Sequence, residues 1–255
     1  MAELRALIFD VDGTLAETER DGHRIAFNRA FAEAGLDWDW SVDRYGQLLK
    51  VTGGKERIQA YIDQDQPTVP AVDDLKTWIA GLHKRKTHYY VEMLAQGAVG
   101  LRPGVERLLQ EAREAGLTLA IATTTTPANV TALLENTLGA ESLGWFACIG
   151  AGDIVPKKKP AADIYEYVLR ELSLDPAECL AFEDSHVGLA SARGADLTTL
   201  ITYCSYTQGQ DFQGAAAVLN CLGDAQEGAQ LLRGEWSVGA EVSLADLREL
   251  HRLAY

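Results

Sequence analysis

Short apolar runs of the chain alternate with segments of helical periodicity from about residue 98 onward, and one further apolar run lies near the start of the chain. The runs with the length and composition of buried strands are residues 4–11, 117–126, 178–184 and 197–203, with weaker candidates at 148–154 and 215–221. The helical patterns between them are residues 104–116, 127–138, 161–173 and 186–195. Because strands that alternate with helices usually pair in parallel, the sequence predicts an α/β fold with a doubly wound parallel sheet.

Residues 17 to about 95 break this alternation, because helical periodicity persists there without a convincing strand. Ligands of doubly wound sheets bind at the carboxyl ends of the strands. We therefore expect an all-helical cap inserted over that edge, with hinges near residues 15–17 and 95–102. A signal formed by Ser243 and Asp246 predicts a last helix. The expected division is a core of residues 1–15 and 98–235, a cap of residues 16–97 and a C-terminal helical extension of residues 236–255 packed on the core.

The formal net charge of −14 limits the partners of the chain. Nucleic acids and acidic membrane surfaces are polyanions that require clustered Lys and Arg, so neither is expected as a partner. No apolar run reaches the roughly 20 residues that span a bilayer, and no secretory signal is found. The cysteines lack CxxC spacing, so reduced thiols in a cytoplasmic protein are the expectation. The sequence is compatible with a monomer whose anionic ligand is held by local cations or a metal.

Polar side chains follow two of the predicted strands. Asp10 and Asp12 in FDVDGT project to the same side of an extended segment, so they repel each other unless a cation lies between them. Thr123 begins the TTTT run after another strand and could place its hydroxyl on a phosphoryl oxygen. Taken alone, the aspartates also fit an acidic turn, and the threonines fit β-branched filler in which Thr126 caps a helix that starts at Pro127.

Two further motifs lie later in the chain. Lys159 of VPKKKPAAD could neutralise a nucleophilic carboxylate and its phosphate, although a lysine run is more often a solvated loop. Glu183 and Asp184 of AFEDSHVG end another apolar strand, where Asp184 and Ser185 could alternatively cap the next helix. Acidic pairs at two strand ends would supply the hard oxygen ligands that Mg²⁺ prefers and leave positions for water and a substrate phosphate.

The motifs DxDGT, a strand that ends in Thr, Lys-Pro and Glu-Asp-Ser-x-x-Gly occur in this order. Together they resemble the haloacid dehalogenase superfamily of phosphatases and phosphomutases, over residues 1–222. The cap placement is similar to the subfamily that includes β-phosphoglucomutase. DGTLAETERDGHRIAFNRAFAEAGLDWDW and LLKVTGGKERI further resemble the CbbY-type phosphatases associated with Rubisco operons. That resemblance implies removal of a phosphate from xylulose 1,5-bisphosphate, a Rubisco inhibitor.

The resemblance also implies a role for each acidic residue of the core motifs. Asp10 would attack phosphorus and form an aspartyl-phosphate, which divides hydrolysis into two easier steps. Asp12 would protonate the leaving oxygen and then accept a proton from water. The carboxylates of Asp10 and Asp184 and the backbone carbonyl of Asp12 would hold Mg²⁺, with support from Glu183.

Phosphate and sugar contacts are expected from the remaining motifs and from the cap. Thr123 and Lys159 would bind the phosphoryl oxygens. Glycines let backbone N–H groups approach an anion, and Lys or Arg supplies the charge that a bisphosphate needs. For any single cap residue, a helix–helix turn with solvated charges is the alternative. The substrate-binding candidates are Glu17, His23, Lys50, Thr52, Gly53, Gly54, Lys55, Arg57 and Thr124.

Other conspicuous side chains are expected to be structural. Trp38, Trp40 and Trp78 are expected to pack the cap rather than to form a sugar platform. His83 lies in polar helical surroundings and needs no role. His186 follows the acidic motif and is expected in solvent or beside the metal site.

Three functions remain open from the residues alone. The leading one is a sugar-bisphosphate phosphatase. A phosphosugar mutase shares every core motif and differs in whether a sugar or water attacks the phosphoenzyme. A non-catalytic sugar-phosphate sensor on the same fold is the third, and the pairing of Asp10 as nucleophile with Asp12 as acid argues against it.

Overall fold

The computed structural model describes residues 2–254, which are built around one seven-stranded sheet. The strands are β1 (Ala6–Phe9), β2 (Thr118–Ala122), β3 (Phe146–Gly150), β4 (Cys179–Glu183), β5 (Thr198–Thr202), β6 (Ala217–Leu219) and β7 (Leu231–Arg233). Their order is β3-β2-β1-β4-β5-β6-β7, and only the last pairing, β6 with β7, is antiparallel. The predicted doubly wound α/β fold is confirmed, and the two weaker strand candidates correspond to β3 and β6.

Helices connect and follow these strands. A π-helical turn, Glu19–His23, leads directly into the first α-helix, and short 3₁₀ turns cover Ala140–Trp145 and Pro176–Glu178. The α-helices are α1 (Arg24–Glu33), α2 (Val42–Leu48), α3 (Gly54–Asp65), α4 (Leu75–Ala95), α5 (Val105–Glu114), α6 (Pro127–Leu138), α7 (Asp163–Leu172), α8 (His186–Gly194) and α9 (Leu244–Ala254). Among residues 2–254, no helix combines the length and apolar character that crossing a membrane requires.

Alternate residues of the central strands pack on opposite faces of the sheet. Leu7 and Phe9 of β1 belong to a hydrophobic cluster with side chains of α5, α6 and α9. Ala6 and Ile8 belong to a second cluster with side chains of α7 and α8. Because both faces are covered, the central strands are apolar on both sides, which explains their continuous apolar runs in the sequence.

The block α1–α4 has a hydrophobic cluster of its own. Trp40 is fully buried in it, and its ring centroid lies 4.7 Å from that of Phe27 and 4.9 Å from that of Phe31. Trp38 is also buried there, and Trp78 packs against the cluster, so these tryptophans are structural as expected. A separate cluster favours the predicted cap, although the exact domain boundaries stay a prediction.

The register of the sheet aligns the ends of its three central strands. Phe9 of β1 pairs with Ile121 of β2 on one side and with Phe182 of β4 on the other. The residues that follow these positions therefore meet at one edge, with Asp10 beside the end of β2 and Glu183. The sequence motifs converge because parallel strands end together.

The C-terminal helix α9 packs against the sheet. Leu247 and Leu250 of α9 are buried in the same cluster as β1. Ser243 donates its backbone N–H and its hydroxyl to the Asp246 carboxylate at 2.8 and 2.6 Å, which confirms the predicted start signal. The helix therefore belongs to the packed core.

Two matched substitutions test whether cap and core unfold separately. Trp40→Ala is expected to destabilise α1–α4 by about 3 to 5 kcal/mol, because it removes a buried ring. Phe182→Ala is the counterpart in the sheet, where its ring stacks on Phe9 with centroids 4.3 Å apart. Hydrogen exchange should accelerate in α1–α4 for the first variant and in β1 and β4 for the second. Equal acceleration throughout both variants would contradict the division.

Candidate active site

A buried lysine lies among the carboxyl ends of the three central strands. The Nζ of Lys159, which is 5% exposed, donates hydrogen bonds to Asp10 Oδ1 at 2.7 Å, Glu183 Oε1 at 2.5 Å and the Ala122 carbonyl at 2.8 Å. Burial opposes the charge of Lys159, but Asp10 and Glu183 raise the pKa of the lysine above its ordinary value. The lysine therefore stays charged and fixes both carboxylates.

Three buried carboxylates form a cluster beside this lysine. Asp10, Glu183 and Asp184 can each direct one oxygen into a space where these atoms lie within 4.8 Å of one another. Burial, followed by the charge of Glu183, raises the pKa of Asp184 to about 7. Hard oxygen ligands in such a cluster fit Mg²⁺. The Oε1 of Glu183 already accepts bonds from Lys159 and, at 2.7 Å, from Tyr165, which suits a supporting position.

The Asp12 carboxylate lies outside that cluster and has its own set of partners. Its Oδ1 accepts a hydrogen bond from Thr18 at 2.5 Å and lies 2.9 Å from His23 Nε2. The other ring nitrogen of His23 lies 2.9 Å from Lys86 Nζ. Burial alone would raise the pKa of Asp12, but the charge and hydrogen bond of His23 and the hydroxyl of Thr18 hold that pKa below its ordinary value. Asp12 is therefore oriented independently of Asp10.

The threonine run serves a turn and a helix start together. Thr123 is buried at the end of β2, and its hydroxyl oxygen accepts the Thr125 N–H at 3.3 Å. The Thr126 hydroxyl accepts the Asn129 N–H at 3.4 Å and caps α6, with Pro127 in the first turn. The N-terminal N–H groups of α6 consequently face the same edge, where an anion would be favoured.

Two adjacent cavities open at this edge and share the side chains of Asp12, Glu19, Arg57 and Thr124. The catalytic cavity, of about 580 Å³, also contains the acidic cluster and Lys159. The cationic cavity, of about 410 Å³, is lined by the N-terminus of α6 and by side chains of the cap and core. Its positively charged lining residues are Lys55, Arg57, Lys84, Lys86 and Lys158.

Residues 4–196 match the haloacid dehalogenase-like hydrolases. The chain belongs to this family. Its relatives include Protein CbbY of Rhodobacter capsulatus, 54% identical over 213 residues that cover 84% of this chain and 91% of the relative. The plasmid-borne Protein CbbY of Cupriavidus necator is 50% identical over 224 residues, 88% of either chain. Family and relatives identify the chain as a phosphatase.

Solved structures agree with this assignment. The D10N mutant of CbbY from Rhodobacter sphaeroides, in complex with xylulose-(1,5)bisphosphate, has a TM-score of 0.81 at 43% identity, over 86% of this chain and 94% of that one. β-Phosphoglucomutase from Clostridium difficile has a TM-score of 0.72 at 17% identity, over 98% of both chains, and shows the fold alone.

The phosphatase brings most of the predicted cap residues to the two cavities. Thr52 donates its hydroxyl to the Lys159 carbonyl at 2.7 Å, and Lys50 lies beside it in the catalytic cavity. Lys55 lines the cationic cavity and pairs with Asp153 at 2.5 Å. The predicted residues that line at least one cavity are His23, Lys50, Thr52, Gly53, Gly54, Lys55, Arg57 and Thr124.

Glu17 is the exception, since it lines neither of these cavities. Its Oε1 accepts the backbone N–H of Ser205 at 3.0 Å, and its Oε2 lies 4.0 Å from Arg102 Nε. The structure therefore does not place Glu17 where the sequence analysis expects a substrate contact. Glu19, which begins the π-helical turn, lines both cavities instead, and His23 at the end of that turn lines the cationic cavity.

Several residues of the site are not indicated by any of the motifs above. Lys86 is buried on α4, four residues after Leu82 and four before Tyr90, both of which are buried. This spacing puts a lysine on an apolar helix face, a signal that could have identified it. His83 lines the cationic cavity, although no role was expected for it. The thiol of Cys204 donates a hydrogen bond to Asp184 Oδ2 at 3.0 Å, and no local sequence pattern predicts that contact.

The buried Lys86 generates a pH prediction. Burial lowers its pKa from 10.5 to about 8, against the opposing charges of Glu19 and Asp12. Between these values the unfolded chain holds more protons, so the contribution of Lys86 to stability rises with pH, by roughly 3 kcal/mol in all. Below pH 8 the cost of the buried charge is fully present.

Urea unfolding of the parent and of Lys86→Met from pH 7 to pH 10 measures this effect. The parent should gain stability relative to the variant as pH rises above 8. Lys84→Met, which removes an exposed lysine of the same helix, should show no such trend. A difference between parent and Lys86→Met that is independent of pH would contradict the assignment.

Proposed function

We propose that this phosphatase is Mg²⁺-dependent and removes one phosphate from a sugar bisphosphate, xylulose 1,5-bisphosphate, through an aspartyl-phosphate. The observation that carries the proposal is the shared wall between the catalytic cavity and the cationic cavity. The first cavity offers a nucleophile beside a lysine, and the second offers positive charge without a nucleophile of its own. A ligand with phosphate at both ends matches this pair.

In the proposed reaction, Asp10 attacks phosphorus, and the bond from phosphorus to the sugar oxygen breaks. Lys159, which is bonded to Asp10, binds a phosphoryl oxygen as negative charge redistributes. Because the pKa of Asp12 is low in the free site, this carboxylate takes up a proton only when the negatively charged substrate lies beside it. Asp12 then gives that proton to the leaving sugar oxygen, and it later accepts one from the water that attacks phosphorus as the bond from Asp10 to phosphorus breaks. His23 and Thr18 keep the Asp12 carboxylate directed at that position.

The acidic cluster fits a magnesium ion on the chemistry of its donors. Asp10 and Asp184, with the backbone carbonyl of Asp12, would hold it, and Glu183 would orient the neighbouring groups. When bound, Mg²⁺ neutralises phosphoryl charge that Lys159 alone leaves unbalanced. Removal of divalent ions is accordingly expected to abolish turnover, and added Mg²⁺ to restore it.

The distal phosphate would occupy the cationic cavity. Lys55 and Arg57 reach it from the cap, and Lys158 reaches it from the core. The relative with xylulose-(1,5)bisphosphate bound supports this substrate class. The resemblance to CbbY-type phosphatases adds removal of a Rubisco inhibitor as the biological context.

A substrate panel with Mg²⁺ tests the proposal. Xylulose 1,5-bisphosphate, ribulose 1,5-bisphosphate and glucose 1-phosphate are supplied separately, and free phosphate and sugar products are followed. Rapid phosphate release from the xylulose compound is expected, with ribulose bisphosphate spared. Asp10→Asn should still bind ligand, but it should form no phosphoenzyme, because the amide is a poor nucleophile.

Other outcomes of the panel would overturn parts of the proposal. A rearranged sugar phosphate without free phosphate would mean a mutase. Measurable turnover by Asp10→Asn would remove that residue from its role. Equal turnover of both bisphosphates would remove the substrate assignment and leave the aspartyl-phosphate chemistry standing.

Two adjacent lysines test the distal-phosphate site. Lys158 lines the cationic cavity, whereas Lys157 is exposed and lines neither cavity. Lys158→Met is expected to raise the KM for the bisphosphate about tenfold, since it removes a charge-assisted hydrogen bond. Lys157→Met should leave that KM unchanged, and both variants should retain the parent KM for p-nitrophenyl phosphate, which has no distal phosphate. Equal effects of the two variants on the bisphosphate would contradict the site.

A further inference from the structure

The guanidinium of Arg102 donates hydrogen bonds to four backbone carbonyls that come from three parts of the chain. One terminal nitrogen donates to the Thr202 carbonyl at 2.7 Å and to the carbonyl of Gly13. The other donates to the carbonyls of Tyr203 at 2.7 Å and Asn220 at 2.5 Å. Arg102 thus connects the DVDGT turn, residues 10–14, to the carboxyl ends of β5 and β6.

The same residue also anchors the chain where it enters the cap. The Arg102 backbone N–H donates to the Leu15 carbonyl at 2.9 Å, and the Gly13 N–H donates to the Ala16 carbonyl at 2.8 Å. The backbone φ of Gly13 is +87°, which residues other than glycine rarely adopt. A Cβ at this position would lie 2.3 Å from Asp184 Oδ2. The turn after Asp12 is therefore tightly confined, and Arg102 is its link to the sheet.

We propose that Arg102 is a positioning residue for the acid-base step: it fixes the Gly13 peptide and so places Asp12 against the leaving oxygen. This inference rests on the proposed role of Asp12. A peptide that accepts a charged donor is held more rigidly than one that faces water. The Gly13 carbonyl belongs to the peptide between Gly13 and Thr14. Because glycine has a wide range of backbone conformations, release of this peptide would let the φ and ψ of Gly13 change, and the preceding Asp12 would move with them.

An arginine suits this position better than a lysine. Its planar fork offers five N–H groups in fixed directions, whereas an ammonium is a compact point charge. Its side chain is only 9% exposed, and Glu17 supplies an opposite charge 4.0 Å from Nε. Glu17 therefore lies next to Arg102 and not in either of the cavities proposed for the substrate.

The test compares leaving groups. Phenyl phosphate has a basic leaving oxygen that needs protonation, whereas p-nitrophenyl phosphate has a good leaving group and needs little acid assistance. Arg102→Met should therefore lower kcat/KM for phenyl phosphate about tenfold more than for p-nitrophenyl phosphate. Asp12→Asn should show the same selective loss. Arg102→Lys should show a smaller loss in the same direction.

Arg107→Met is the matched control. Arg107 also donates to backbone carbonyls, of Val242 at 2.9 Å and of Leu222 and Gly223 at 3.3 Å, but it does not contact the DVDGT turn. It should reduce thermal stability and leave the ratio of the two kcat/KM values at the parent value.

Equal losses for both esters in folded Arg102→Met, or no loss, would overturn the inference. If that variant does not fold, the comparison is made with Arg102→Lys, and an unchanged ratio there has the same meaning. The aryl esters contain no sugar. A parent enzyme that fails to hydrolyse xylulose 1,5-bisphosphate would therefore refute the proposed substrate without deciding the role of Arg102.

Discussion

The contact between Lys159 and two buried carboxylates is the interaction on which the rest of the site depends. Asp10 and Glu183 share its ammonium, and Asp184 lies close enough to add a third negative charge. Buried like charges raise one another's pKa values and destabilise the folded chain unless they are balanced. One lysine against three ionised carboxylates leaves a charge of two, which a single divalent ion would balance. The arrangement thus favours a divalent metal ion at this position.

The second requirement is a place for the part of the substrate that does not react. The core supplies Lys158 and the start of α6, and the cap supplies Lys55, Arg57 and Lys86. Ion pairs cross between the two parts, since Lys158 Nζ lies 3.1 Å from Glu56 and Lys55 Nζ lies 2.5 Å from Asp153. In the proposed function, recognition therefore depends on how cap and core meet, whereas Asp10 and Lys159 lie in the core alone.

Positions at strand ends were predictable from sequence, but the cap contacts were less so. The proximity of Asp10, Thr123 and Glu183 could be predicted, because the carboxyl ends of parallel strands meet at one edge of the sheet. Glu19 could not, because a π-helical turn changes the direction of successive side chains, and an α-helical reading of the same residues does not include that change. Lys86 was detectable in principle from its apolar neighbours, but its contact with His23 depends on packing between elements distant in sequence.

Net charge and local charge answer different questions. The chain has 23 Lys and Arg residues against 37 Asp and Glu, which argues against polyanionic partners. Yet five cations, against the three carboxylates of Asp12, Glu19 and Asp153, line a single cavity of about 410 Å³. Charges enclosed by protein are screened less than charges on the surface, so this cavity attracts a small anion despite the overall charge. A sugar phosphorylated only at the reacting end would leave those cations with groups of the protein alone as partners, whereas a bisphosphate would use the charge of both cavities.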